Sequence, residues 1–108
     1  MSDTPLRQLA AIEIAEAVAR HYRITIAEIV RPGKSNRTVV RARQVAHALS
    51  VELARRSLPE VGRVYERDPT TIRHSLLLIR DGLRIDDRLR ADVAAIRAAL
   101  GVEEAADG

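Results

Sequence analysis

Apolar residues recur at helical spacing along almost the whole chain. Leu6, Leu9, Ala10, Ile14, Val18 and Tyr22 fall near one stripe, which predicts an amphipathic helix from Leu6 to Arg23. Thr25 is placed to cap a short helical turn, Ile26–Val30, which Pro32-Gly33 ends. After a basic turn, Pro32–Asn36, a long helix from about Thr38 to Arg56 would bury Val45, Ala46, Leu49 and Leu53. Its first turns would expose Arg41, Arg43 and Gln44. Two helix starts then follow closely. Ser57-Leu58-Pro59-Glu60 has the form of a capping box, in which hydroxyl and carboxylate satisfy reciprocal backbone donors. Asp68-Pro69 repeats the signal, since a proline at the first helical position gives up an N–H that has no helical partner anyway. The first of these helices ends near Glu66; the second runs to about Asp81, with Gly82 as its stop. A last helix, Asp87 to Leu100, carries Leu89, Val93, Ile96 and Leu100 inward.

The expected architecture is all-α: one five- to six-helix domain over residues 1–108, with a frayed small-residue tail at 101–108. Its core should contain Val18, Val45, Leu49, Leu53, Val61, Ile72, Leu76, Ile79, Val93 and Ile96. A short helix, a tight turn and a second helix, set behind a basic helix, form a helix-turn-helix arrangement.

Composition sharpens this. With two tyrosines and no Phe or Trp the core must be aliphatic, and with no cysteine there are neither disulfides nor thiolate metal sites. Apolar runs are too short to span a membrane, and the acidic start Met1–Thr4 is unlike a secretory leader. The net charge of +3 is unevenly spread. Ten basic residues (only Lys34 is not Arg) and four acids lie between Arg31 and Arg73, whereas both flanks are slightly acidic. A basic middle suits a polyanion, although an arginine bias also follows from genome composition.

Catalytic chemistry finds no footing. Gly33-Lys34-Ser35 resembles the end of a phosphate loop, but the glycine required five residues earlier is Glu28 on a helical turn, which excludes nucleotide binding of that kind. His21, His47 and His74 lie on different predicted helices without partners at ligand spacing, so they read as surface or boundary histidines. No nucleophile–base–acid set can be assembled, and neither an enzyme nor a cofactor is expected. The informative stretch is Asp68-Pro69-Thr70-Thr71-Ile72-Arg73-His74-Ser75. With Ile72, Leu76, Ile79 and Leu83 turned inward, Thr71, His74 and Ser75 share an outer face at a helix N-terminus. Free N–H groups there attract phosphates, and Thr and Asp can read base edges. The same residues are also simply a good cap and first turn.

The ordered set of basic turn, Arg41-Ala-Arg-Gln44, Leu49, Ser57-Leu-Pro-Glu-Val-Gly62, Arg67-Asp-Pro-Thr-Thr-Ile72 and His74 resembles the DNA-binding domain of the DnaA replication initiator family. The resemblance covers roughly Ile14 to Leu83. It implies base-facing or groove-edge positions for Asp68, Thr70, Thr71 and Ser75, with Arg67 and His74 beside them. It implies phosphate contacts at Arg43, Gln44 and the Leu58-Pro59 backbone, with Arg41 on the same basic helix, and a minor-groove role for Lys34 to Arg37. The chain departs from the family at Pro69, where a histidine is usual, at Ser35, where a minor-groove arginine is usual, and at Leu77-Leu78, where basic residues are usual. The turn before Arg67 is one residue shorter. No ATPase module lies within these residues, so a stand-alone, cytoplasmic, nucleoid-associated protein is expected. It would bind double-stranded DNA at initiator-type sites and regulate replication initiation or transcription. The other reading is an adaptor whose Leu77 and Leu78 meet a replication-regulatory protein or a second copy, because four consecutive apolar side chains, Leu76 to Ile79, cannot all face one core.

Overall fold

The computed structural model describes residues 9–31, 33 and 36–102. Among them are six helices and no strand: α1 (Ala11–Tyr22), α2 (Ile26–Val30), α3 (Arg37–Leu53), α4 (Leu58–Tyr65), α5 (Pro69–Ile85) and α6 (Asp87–Ala99). Most begin where a short polar side chain satisfies an orphan backbone donor. Thr25 and Glu28 bond reciprocally at α2, with Glu28 N donating to Thr25 Oγ1 (3.1 Å) and Thr25 N to Glu28 Oε1 (2.9 Å). Ser57 and Glu60 repeat this at α4. Asn36 Oδ1 accepts from Val39 N at α3, Asp68 Oδ1 from Thr70 N at α5, and Asp86 Oδ1 from Leu89 N at α6.

Helix α3 is the axle of the fold. It packs against α1, α2, α4 and α5, and α6 closes across α1 and α5. The buried interior is aliphatic: Ile14, Val18, Ile29, Val45, Leu49, Val61, Ile72, Leu76, Ile79, Leu89, Val93 and Ile96. Nine of the ten expected core residues are buried there, while Leu53 is half-buried at the end of α3. Tyr65 is the largest buried side chain and was not foreseen. Its hydroxyl donates to Ala11 O (3.3 Å) and shares a 2.8 Å hydrogen bond with Ser50 Oγ, so a buried polar seam ties α4 to α1 and α3.

Several boundaries differ from the expected ones. Helix α1 begins at Ala11, and Leu6 lies outside the described residues. It ends with Arg23 in the left-handed region (φ 59°), where Arg23 N and Ile24 N close the last turn onto Arg20 O and Ala19 O. Helix α5 runs through Gly82 to Ile85, and Leu83 is only half-buried. Gly82 serves packing, since a Cβ there would lie 2.6 Å from Leu89 Cδ2, and its lack of a side chain lets α6 approach. Of the expected frayed tail, Gly101 (φ 76°) and Val102 are instead docked: Val102 N donates to Arg97 O (2.9 Å) and its side chain packs on the core. Residues 103–108 lie outside the described part.

Candidate nucleic-acid interface

Between α4 and α5 the chain turns tightly. Arg67 N donates to Gly62 O (2.8 Å), and Glu66 adopts φ 54°. Only glycine fits at position 62, because a Cβ there would sit 2.4 Å from the Arg67 carbonyl oxygen. Buried Val61, Tyr65, Ile72 and Leu76 hold the two helices at that corner. The corner presents the first turns of α5 outward: Asp68, Pro69, Thr70, Thr71, Arg73 and His74 are all exposed. Arg67 is half-buried beside them. At the start of α4, Pro59 is exposed and Leu58 half-buried. Arg37 is exposed at the start of α3, and Arg41 and Gln44 are half-buried one and two turns later. Arg41 Nη1 lies 3.5 Å from Asp86 Oδ2. Lys34 falls outside the described residues.

Two expected contact residues point elsewhere. Arg43 is buried, its Nε donating to Glu28 O and an Nη to Arg31 O, both at 2.7 Å. A five-residue helix cannot satisfy its own last carbonyls, and Arg43 supplies the missing donors. Burial, followed by the nearby Arg67 charge, lowers its pKa, while Glu28 opposes this. Arg43 is thus a strut that fixes α2 and Arg31 just beyond it. Ser75 is also buried, with Oγ 2.9 Å from His47 Nδ1. It sits three residues after Ile72 and four before Ile79, on the edge of the inward stripe, so it cannot share the outer face with Thr71 and His74.

The partner of Ser75 is the residue that sequence reasoning misplaced. His47 is buried rather than at the surface, with its ring edge-on to Tyr65 at 5.0 Å between centroids. Its Nε2 has no hydrogen-bond partner among the described residues. Burial, then Arg67 and Arg43, push its pKa down to about 4, so the ring is neutral at physiological pH. The sequence signal was positional: His47 lies between Ala46 and Ala48 on a helix whose central turns are buried nearly all round. His21, also expected to be unpartnered, meets a carboxylate 71 residues away, with Nε2 2.9 Å from Asp92 Oδ1. Tyr22 donates its hydroxyl to Asp92 Oδ2 (3.1 Å).

A corner of this kind is common to many helical proteins, and sequence comparison decides which family it belongs to. A family model described as the bacterial dnaA protein helix-turn-helix matches residues 11–79, from the first residue of α1 to the middle of α5. The chain belongs to that family. Similar proteins include the chromosomal replication initiator protein DnaA of Thermomicrobium roseum, 43% identical over 86% of this chain and 20% of that protein. The initiator of Cereibacter sphaeroides is 40% identical over 87% of the chain and 21% of its own length. That of Psychromonas ingrahamii is 37% identical over 80% of the chain and 19% of its length. The chain therefore spans about a fifth of the curated DnaA relatives it matches. Within the DnaA-family segment, Arg37, Arg41, Gln44, Leu58, Pro59, Arg67, Asp68, Thr70, Thr71 and His74 retain at least partial exposure, while Arg43 and Ser75 are internal. No helix among the described residues is long and apolar enough to cross a membrane.

Proposed function

We propose that this chain binds double-stranded DNA through the α4–α5 corner, at initiator-type sites, and acts in the control of replication initiation or transcription at the nucleoid. The observation that carries this reading is the exposed N-terminal end of α5, with Thr70, Thr71 and His74 side by side on a corner made rigid by Gly62 and a buried core. Thr71 and His74 are the base readers in this scheme. Asp68 caps the helix and meets the groove edge. Arg67, Gln44, Arg41 and the backbone at Leu58-Pro59 approach phosphates, and Lys34, in the basic turn before Arg37, enters the adjacent minor groove. Proline at position 69 offers no hydrogen-bond donor, so position 69 reads no base in this scheme. Titration of a fluorescent initiator-type duplex, a scrambled duplex and random DNA at two salt concentrations tests the reading. It expects tighter binding to the first and a loss of affinity with salt for all three. Equal affinity for all sequences would refute site recognition, and no binding at low salt would refute the whole reading.

A second reading has a specific observation in its favour. Leu77 and Leu78 are 49% and 42% exposed on the face of α5 that runs away from its reading end. An adaptor that docks a regulatory protein there would lose its partner on Leu77→Lys, whereas a pure DNA binder would gain general affinity.

A further inference from the structure

On the flank of α3 opposite Arg43, a cleft of about 710 Å³ opens between the end of α1, the start of α3 and the start of α6. Arg37, Arg41 and Gln44 form one wall, spaced so that they lie along a single helical stripe. Arg23 and Arg88 face them from α1 and α6. The one carboxylate among the described lining residues, Asp92, is already engaged: it accepts from His21 and Tyr22 and lies 3.6 Å from Arg88 Nε. Arg41 leans on Asp86 just outside. The side chains of Arg23 and Arg37 have no ion-pair or hydrogen-bond partner among the described residues, so the cleft holds two uncommitted guanidinium groups. Arg23 is held in the left-handed conformation that glycine fills without strain, which places an arginine at the rim where the backbone favours none.

The position of the cleft names the ligand. Arg37 is the first residue of α3, and the cleft begins there and runs along the first two turns of α3 towards the α5–α6 junction, where Arg41 meets Asp86. A duplex that reached Arg37 from the α5 corner would bring its backbone, which carries a charge every ~1.7 Å of axis, to the mouth of this cleft. We propose that the cleft seats a backbone phosphate of the DNA flanking the recognised site, with Arg23 and Arg37 as its ligands and Arg41 and Arg88 supporting them. This rests on the DNA-binding reading and extends the footprint to the end of α1 and the start of α6.

The test compares wild type, Arg23→Gly and Arg23→Lys on two duplexes, one trimmed to the recognised site and one longer by about one helical turn on the basic-turn side. Arg97→Ala, at the far end of α6, controls for loss of one charge. Arg23→Gly should melt at the same temperature or higher, because it relieves the left-handed strain. It should bind the long duplex about fivefold more weakly, with a log–log salt slope shallower by about 0.9, and the trimmed duplex as well as wild type does. Arg23→Lys should keep the long-duplex affinity, and Arg97→Ala should leave the difference between duplexes intact. Equal affinity of wild type and Arg23→Gly on the long duplex overturns the proposal, as does an equal loss on both duplexes. Saturation of the cleft by inorganic phosphate, followed through the His21 and Tyr22 resonances, without any effect of duplex length would assign it to a free anion and likewise overturn it. Failure of wild type to bind either duplex at low salt would instead sink the DNA-binding reading itself.

Discussion

Burial of His47 makes the stability of this fold depend on pH in a calculable way. In the unfolded chain the imidazole titrates near 6.5, whereas in the folded protein its pKa is pushed down to about 4 by burial and by Arg67 and Arg43. Between those values the unfolded chain binds a proton that the folded one does not. The contribution of His47 is therefore fully present above pH 6.5, is lost progressively as pH falls towards 4, and changes no further below that. A displacement of this size corresponds to roughly 3 kcal/mol, a large share of the stability of a small domain. The perturbation is His47→Met, which keeps the volume and removes the titration. At pH 7 the variant should be less stable by about 1–3 kcal/mol, because Ser75 Oγ is left unpaired in the core. Urea denaturation of both proteins at pH 7, 6, 5 and 4 gives the curves, and carboxylate contributions cancel in their difference. The variant's deficit should shrink as pH falls and reverse near pH 4. Parallel curves across that range would refute the buried neutral imidazole.

Three further outcomes follow from the same geometry. Gly62→Ala should destabilise the domain by about 2–4 kcal/mol in thermal melts, because the new Cβ would meet the Arg67 carbonyl at 2.4 Å; a variant within 0.5 kcal/mol of wild type would mean the turn is looser than described. Ser75→Ala should lower stability by about 1–3 kcal/mol yet leave the preference for an initiator-type duplex over a scrambled one unchanged; a relaxed preference would return Ser75 to the groove. Thr71→Ala should show the reverse, with unaltered melting and a loss of about 1–3 kcal/mol against the preferred site alone.

The helices were legible because each carries its own start signal and apolar period. Ser57-Leu-Pro-Glu and Asp68-Pro fix the two halves of the corner before any tertiary contact is known. What the sequence concealed were polar residues used inside. Arg43 and His47 occupy stripe positions on α3, but an arginine and a histidine there look like surface until the carbonyls of α2 and the hydroxyl of Ser75 come into view from 12 to 28 residues away. Ser75 itself sits at the edge between the inner and outer faces of α5, where a 100° step leaves its direction to the neighbours. Gly82 was ambiguous for a similar reason. Its helix continues to Ile85, and its missing side chain answers to Leu89 on another helix. Exposed positions such as Thr71 and His74 were easier, since no long-range partner had to be known.

The central claim is that the first turn of α5 lies in the major groove. The chain contains no cysteine, so Thr71→Cys creates a unique attachment point for a short photoreactive group. Leu77→Cys, nearly two turns further along α5, provides a second. Irradiation on an initiator-type duplex should join the group at position 71 to bases within the site, far more than on scrambled DNA, and leave the group at position 77 almost without DNA adducts. Adducts formed mainly from position 77, or from position 71 without regard to sequence, would contradict the account.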